Sequence, residues 1–486
     1  MNQVNMSNAI QRNILILLSL AEFWDLLSFF GTVAIVVLYT TKVFLFSDQL
    51  SYTIYGIYLA LLCGLPMVGG LLTDKFFGYY RSIVIGALML ILGNLFLVIQ
   101  STTFLYLGLA ATICGTSLYK TTCTSLVGTI YQDDSQTKDK AYTFFYAVLN
   151  CGAIVGPIIY GIIAKFFGWH ACFLFSAIGL SFCLLLIVIK RNYFKNVIHS
   201  STKPNNNIFM YVWLVAVYLT VSFTFFWHKD FGGILIAFFV VSLIIFYRLL
   251  HKYTLIERKR LYGVLVLLFF CMFFFAASLQ VGSSLTLFLN RFVDRTLFGW
   301  KMPTAFFASL DPLFVVLAAP IFTLMWVKFA KTNKDPTASI KLVWGLVIGG
   351  IGFLCFWLSA ELSIWHYHYL VLMLLLGGYV FIGAGEICLS PAVLSAINSY
   401  SPKSIANTMA GTWYLSMAFA GYLGSIIAIG GSYSIRKLAH HVKFIHLSNI
   451  NAFAHTFLVI SIVAIFAAGI LFLFSRTINR LINQES

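Results

Sequence analysis

Five ionisable side chains stand inside long apolar stretches. Glu22 and Asp25 sit in SLAEFWDLLSFFGTVAIV (19–36), with no Lys or Arg between Arg12 and Lys42. Lys120 lies in CGTSLYKTT, Asp311 in ASLDPLF and Glu386 in GEICLSPAV. An ionised carboxylate at the centre of a bilayer costs ~2.5–3.5 kcal/mol on insertion scales, so such groups mark ion or substrate paths. Glu22 and Asp25 are three residues apart and share one helix face. Burial favours the neutral acid and a nearby cation favours the ionised one, so an acid pair beside a movable cation can take up and release a proton. Lys120 is the cation set deep in a span, and a buried ammonium needs a counter-charge. Glu22 or Asp25 is the expected partner, whether as a proton switch or as a static ion pair. Asn150 could hydrogen-bond a substrate or hold two helices together. Ser390 is a weaker candidate of the same kind.

The elements that must carry these groups follow from composition. The chain has 486 residues, 60% hydrophobic and 9% charged, where globular proteins carry about 25% charged residues. It is therefore an integral membrane protein. The net charge of +16 fits basic cytoplasmic loops beside anionic lipid rather than nucleic acid. The opening MNQVNMSNAIQRN lacks a secretory cleavage pattern, so the first apolar run stays as a membrane helix. The nine cysteines have no CxxC spacing and fall in or beside apolar runs, as small core residues do. The outer loop KLAHHVKFIH (438–447) has neither acid nor Cys nearby and reads as solvated, so no metal is expected. The chain lacks a P-loop, an HExxH and an acyltransferase-like His–Asp box, so neither an enzyme nor a cofactor is expected.

A spanning helix needs about 20 apolar residues, and the pattern predicts fourteen. An even number places both termini on one side. With a cytoplasmic N-terminus the inner segments hold more than twice as many Lys and Arg as the outer ones, which orients both termini to the cytoplasm. Polar breaks at RNYFKNVIHSSTKPNNN (191–207) and HKYTLIERKR (251–260) bracket two spans near 208–227 and 232–250. The expected organisation is an N-terminal six-helix lobe (1–190), a linker with two inserted helices (191–260) and a C-terminal six-helix lobe (261–486). Six plus two plus six suggests a two-lobed transporter.

The loop GGLLTDKFFGYYR (69–81) resembles the cytoplasmic signature of the major facilitator superfamily, G-x-x-x-D-[RK]-x-G-[RK]-[RK]. Asp74, Lys75, Gly78 and Arg81 match it, with one extra residue before Gly78. Asp74 would lie near a helix N-terminus, where negative charge is favourable.

Several segments together resemble the proton-dependent oligopeptide transporter (POT) family within that superfamily. The family's first-helix E-x-x-E-R-F-x-Y-Y-G reads EFWDLLSFFG here, Glu22 to Gly31. CGTSLYKTT aligns Lys120 with the fourth-helix Lys, and FYAVLNCGA carries Phe145, Tyr146, Asn150 and Gly152. GEICLSPAV matches G-E-L-x-x-S-P through Gly385, Glu386, Ser390 and Pro391, and LQVGSSLTLF carries Gln280. The resemblance implies an all-α fold of twelve core helices in two lobes plus an inserted pair. It implies proton-driven uptake of di- and tripeptides by alternating access, with substrate held near the midplane between the lobes. Glu22, Asp25 and Lys120 would handle the proton. Lys120, Asn150, Gln280, Asp311, Glu386 and Ser390 would contact the peptide, Lys120 at its carboxylate and Glu386 at its amino group. The only cofactor-like species would be the proton. A monomer in the lipid of a bacterial inner membrane is expected.

The departures cluster at this site. The Arg after the second acid is Leu26, the Arg eight positions after that acid is Val33, and the two Tyr are Phe29 and Phe30. The second-helix Tyr is Cys63, the acid before Gln280 is Leu279, the Pro-Asn after Lys120 is Thr121-Thr122, and the usual Asn is Asp311. Lys120 alone then faces four acids. Either some of these acids hold protons, or the substrate brings positive charge. The alternative function is a facilitator or exporter of a cationic, amine-bearing molecule with weak or no proton coupling.

Overall fold

The computed structural model describes residues 8–131, 135–198, 208–236, 240, 247–248, 251, 253–297, 299–332, 335–365, 367–402, 405–439 and 445–482. Twelve described helices are long and apolar enough to cross a membrane. They correspond to the twelve core spans expected from the sequence. The first inserted span is the helix Ile208–Phe226. The second, predicted at 232–250, lies largely outside the described residues, as do the middle of the His-containing loop and the side chain of Lys75. Apart from a two-residue antiparallel pairing at Thr296–Leu297 and Trp300–Lys301, the described architecture is helical.

The chain groups into two compact units, Met1–Leu45 with Leu61–His228, and Phe46–Ala60 with Lys229–Ser486. The first unit contains α1 (Asn8–Lys42), α2 (Asp48–Gly64, from Leu61 onward), α3 (Pro66–Leu72), α4 (Tyr79–Val98), α5 (Thr102–Ile130), α6 (Ser135–Phe166) and α7 (Trp169–Ile189). Of these, α1 and α4 to α7 build one apolar core, while Leu72 of α3 packs in a smaller one with Phe77 and Leu118. The short α8 (Arg191–Ile198) follows, and α9 (Ile208–Phe226) lies against α5, where Tyr218 Oη donates to Leu107 O at 3.2 Å. The second unit contains α10 (Leu255–Ser278), α11 (Ser284–Phe292), α12 (Leu310–Lys331), α13 (Ala338–Ser363), α14 (His368–Tyr400), α15 (Ala406–Ala439) and α16 (Ile445–Ile482). The N-terminal part of α2, up to Ala60, belongs to this second unit. Asp48 makes a two-pronged ion pair with Arg291, both bonds 2.7 Å, and Tyr55 Oη donates to Leu279 O at 3.0 Å.

Lipid offers no hydrophobic drive between helices, so small residues that admit close backbone contact set the packing. In the first unit Gly86 and Gly93 of α4 face Gly115 and Gly108 of α5. A Cβ on Gly93 would stand 2.8 Å from Thr112 N and 2.9 Å from Gly108 O. In the second unit Gly345 and Gly352 of α13 face Gly385 and Gly378 of α14, and each would put a Cβ 2.9 Å from the opposing glycine's carbonyl. All four helices space these glycines seven residues apart, which keeps them on one stripe.

The loop after α3 accommodates its extra residue through a π-helical turn at Thr73–Phe77, closed by Gly78 N donating to Thr73 O at 2.8 Å. A π turn carries one residue more than an α turn. Gly78 then has φ +70°, ψ 167° and serves as the N-cap of α4. This positive φ suits glycine because it lacks a Cβ.

Gly93→Ala and Gly352→Ala force helix backbones apart and should each cost about 1–3 kcal/mol. Gly377→Ala has nothing within 4 Å to meet and should leave stability unchanged or slightly raised. Thermal unfolding in detergent checks the three; equal melting temperatures would show that the seams do not set the packing.

Candidate functional site

The first unit collects its chemistry where α1 lies against α5. Glu22 and Asp25 are both 0% exposed. Thr116 Oγ1 donates to Asp25 Oδ1 at 3.2 Å, while Asp25 Oδ2 and both Glu22 oxygens have no hydrogen-bond partner. Lys120 stands within electrostatic reach of both acids and of Cys63, yet forms no ion pair among the described residues. The expected contact pair is thus a through-space interaction, and the ammonium remains available to another anion. The Cys123 thiol faces Glu22. Tyr119 is 0% exposed, and its hydroxyl lies in reach of both carboxylates without a hydrogen-bond partner. Ser19, one turn before Glu22, also has an unpartnered buried hydroxyl.

Thr116, Tyr119 and Cys123 were not singled out in the sequence, although the signal is present. Thr116 and Cys123 fall four before and three after Lys120, on one face of α5. Phe29 and Phe30, in place of the family's tyrosines, pack edge-on to each other with centroids 4.7 Å apart.

Asn150 is partly exposed on α6, and its amide donates to Tyr146 O of its own helix at 2.8 Å. Conformational-loop residues Asp74 and Arg81 lie on either side of Gly78, Asp74 exposed in the π turn and Arg81 partly buried in α4.

In the second unit, Asp311 is on the first turn of α12 and Glu386 is mid-way along α14. The helices touch where a Cβ on Gly383 would lie 2.8 Å from Val315 N and 2.9 Å from Phe314 C. Asp311 is three residues before that crossing and Glu386 three after its glycine. The two acids feel each other electrostatically, and neither forms an ion pair among the described residues. Asp311 Oδ1 is buried without a hydrogen-bond partner. Tyr379 is 0% exposed; its hydroxyl, also unpartnered, lies in reach of Asp311. Ser390, one turn beyond Glu386, has an unpartnered buried hydroxyl. Cys271 of α10 is in reach of Glu386.

Gln280 differs from these. It is 0% exposed, and its Nε2 donates to Gly424 O at 2.6 Å and Ala276 O at 3.3 Å. Its Oε1 accepts from Ser283 and Ser284 at 3.1 and 2.6 Å. Both ends of this amide are used by protein, so Gln280 pins α10 to α15. Among the described residues no three His, Cys, Asp or Glu gather as a metal site.

The POT family profile matches residues 80–434. The chain is 28% identical over 421 residues to dipeptide and tripeptide permease B of Photorhabdus asymbiotica, covering 84% of each chain. It is also 28% identical over 508 residues to the peptide transporter YePEPT of Yersinia enterocolitica, covering 96% of this chain and 94% of that one. A crystal structure of a peptide transporter POT in complex with sulfate superposes with a TM-score of 0.81 at 25% identity, covering 97% of this chain and 96% of that one.

Two facing acids without a cation repel once both are ionised. Asp311→Asn should therefore raise the melting temperature of the ligand-free protein at pH 8, by roughly 2–4 °C for each kcal/mol relieved. The gain should shrink as the pH is lowered, because a proton taken up by either acid removes the repulsion. A pH-independent change would mean that the acids do not interact.

Proposed function

The chain belongs to the POT family of the major facilitator superfamily, and from that membership we propose that it imports di- and tripeptides or peptide-like solutes by proton symport with alternating access. The observation that carries the reading is the wholly buried pair Glu22 and Asp25, with Thr116 bonded to Asp25 and with a Lys120 that forms no ion pair among the described residues. Ionised together, these acids leave the interior of the first unit with more negative than positive charge. A proton entering the pair removes that imbalance and weakens its hold on Lys120, whose ammonium then attracts a peptide carboxylate. In the second unit Glu386, with Asp311 and Ser390, offers acceptors to an amino group. Gln280 acts through the helices it joins, and Asn150 through the carbonyl oxygen its own helix leaves over. Asp74, Lys75, Gly78 and Arg81 form the loop on which α4 turns during the transport cycle.

The driving force is adequate. One positive charge falling through 100 mV releases ~2.3 kcal/mol, which supports roughly fortyfold accumulation at ~1.4 kcal/mol per tenfold. The protein works as a monomer in a bacterial inner membrane with both termini in the cytoplasm, does no enzymatic chemistry and uses no cofactor besides the coupling proton. The loss of arginines at Leu26 and Val33 favours a second reading, a facilitator or exporter of an amine-bearing cation.

Uptake by proteoliposomes under an imposed inward proton gradient separates the two. Gradient-driven accumulation of a dipeptide is expected, falling at least tenfold in Glu22→Gln. If no dipeptide is taken up or competes, the amine reading replaces the peptide one. Accumulation by Glu22→Gln equal to that of the unsubstituted protein would remove Glu22 from the proton path.

A further inference from the structure

The second unit buries two acids beside two unpartnered hydroxyls. Asp311 Oδ1 and the Tyr379 and Ser390 hydroxyls are buried with no hydrogen-bond partner, and Glu386 is in electrostatic reach of Asp311. Among the described residues, Cys271 of α10 lies in reach of Glu386 and Tyr379 of α14 in reach of Asp311, and neither is a cation. On α12 itself the first cation is Lys328, 17 residues from Asp311, or about 25 Å along the helix. Lys341 at the start of α13 is taken by Asp335 at 2.8 Å.

Two species could neutralise this acid pair. A shared proton cancels one charge, and the Tyr379 and Ser390 hydroxyls can each donate a hydrogen bond, but the second acid then stays ionised with no cation beside it. An ammonium cancels charge and brings three donors with no acceptor. Its chemistry therefore matches a pair of carboxylates flanked by hydroxyl oxygens, and the Tyr379 ring adds a face that favours cations. Two acids accommodate two ammonium groups. A peptide carries two on one residue only when its amino-terminal side chain is basic, because the α-ammonium and the four-carbon stem of Lys leave the same Cα.

We propose that Asp311, with Tyr379 and Glu386, makes this transporter select peptides whose amino-terminal residue has a cationic side chain. The inference rests on the peptide-transport reading. Glu386 would take the α-ammonium, and Asp311 with the Tyr379 hydroxyl the side-chain cation. Asp311 is then the specificity-determining residue, since Asn at this place would accept a hydrogen bond without adding charge.

The test is competition for dipeptide uptake in proteoliposomes of the full chain, using Lys-Ala, its neutral near-isostere norleucine-Ala, Ala-Lys and Ala-Ala. Half-inhibition by Lys-Ala is expected at least tenfold below that by norleucine-Ala, with Ala-Lys showing less than half of that advantage. In Asp311→Asn the ratio of Lys-Ala to norleucine-Ala potency should fall to about one, whatever the overall rate. Should Asp311→Asn fail to assemble, Tyr379→Phe removes only a hydroxyl and should reduce the ratio about threefold. Equal inhibition by Lys-Ala and norleucine-Ala in the unsubstituted protein, with Ala-Ala still transported, overturns the proposal and leaves the peptide reading standing. A preference that survives both variants also overturns it. Failure to transport any dipeptide overturns the peptide reading and this proposal with it.

Discussion

The structure depends on backbone-to-backbone contact between helices. Side chains in lipid gain little by leaving one apolar neighbour for another, so helices hold together where they come close enough for dispersion and carbonyl contacts. Here that closeness is set by paired glycines, 86 and 93 with 115 and 108, then 345 and 352 with 385 and 378. A side chain at seven of these eight positions would have to push a carbonyl or amide aside, and at Gly378 it would meet the Phe356 ring. Each seam fixes the rotation of α5 or α14 about its axis, and rotation decides which residues of those helices face their unit's polar interior.

Polar groups of the candidate site stand immediately beyond these seams. Thr116 and Lys120 follow Gly115 by one and five residues; Glu386 and Ser390 follow Gly385 by the same intervals. A buried carboxylate without a partner is costly in a low-dielectric interior. Glu22 and Asp25 retain this cost, because Thr116 satisfies one of their four oxygens and Lys120 remains at a distance. A contact ion pair would lock the ammonium; an open one leaves both partners free to respond to a proton or an anion. Gln280 shows the opposite choice. Its amide is fully matched by Gly424, Ala276, Ser283 and Ser284, which makes it rigid.

Much of this was legible in the chain. The twelve core spans follow from apolar length, because backbone satisfaction in lipid leaves few alternatives to helix. The acids Glu22, Asp25, Asp311 and Glu386 and the cation Lys120 stood out because charge is rare inside such spans. The extra residue before Gly78 was visible as a mismatch, but only the structure shows it absorbed by a π turn. Tyr119 and Tyr379 were not legible. Nothing in the sequence separates a tyrosine whose hydroxyl faces a carboxylate from the many that pack in a core, since the distinction depends on the helix rotation that the glycines set. The family resemblance of LQVGSSLTLF points to Gln280 as a substrate contact. Its actual partners include Gly424, 144 residues away, a pairing that no local pattern encodes.

The two seams also permit an internal comparison that explains the asymmetry of the charges. Gly86 approaches Gly115 and Tyr119 as Gly345 approaches Gly385 and Leu389. Superposing the repeats by these glycines places Thr116 where the second unit has Glu386, and Lys120 where it has Ser390. One backbone arrangement thus carries a hydroxyl and a cation in the first unit, and a carboxylate and a hydroxyl in the second. The acids of the first unit come from the neighbouring helix α1, where an ammonium on α5 can oppose them. Those of the second unit come from α12 and α14, with no opposing ammonium among the described residues. Geometry shared by the repeats would permit either pattern. The difference in residue type is what sets two acids against one cation in the first unit, and pairs two acids with hydroxyls in the second.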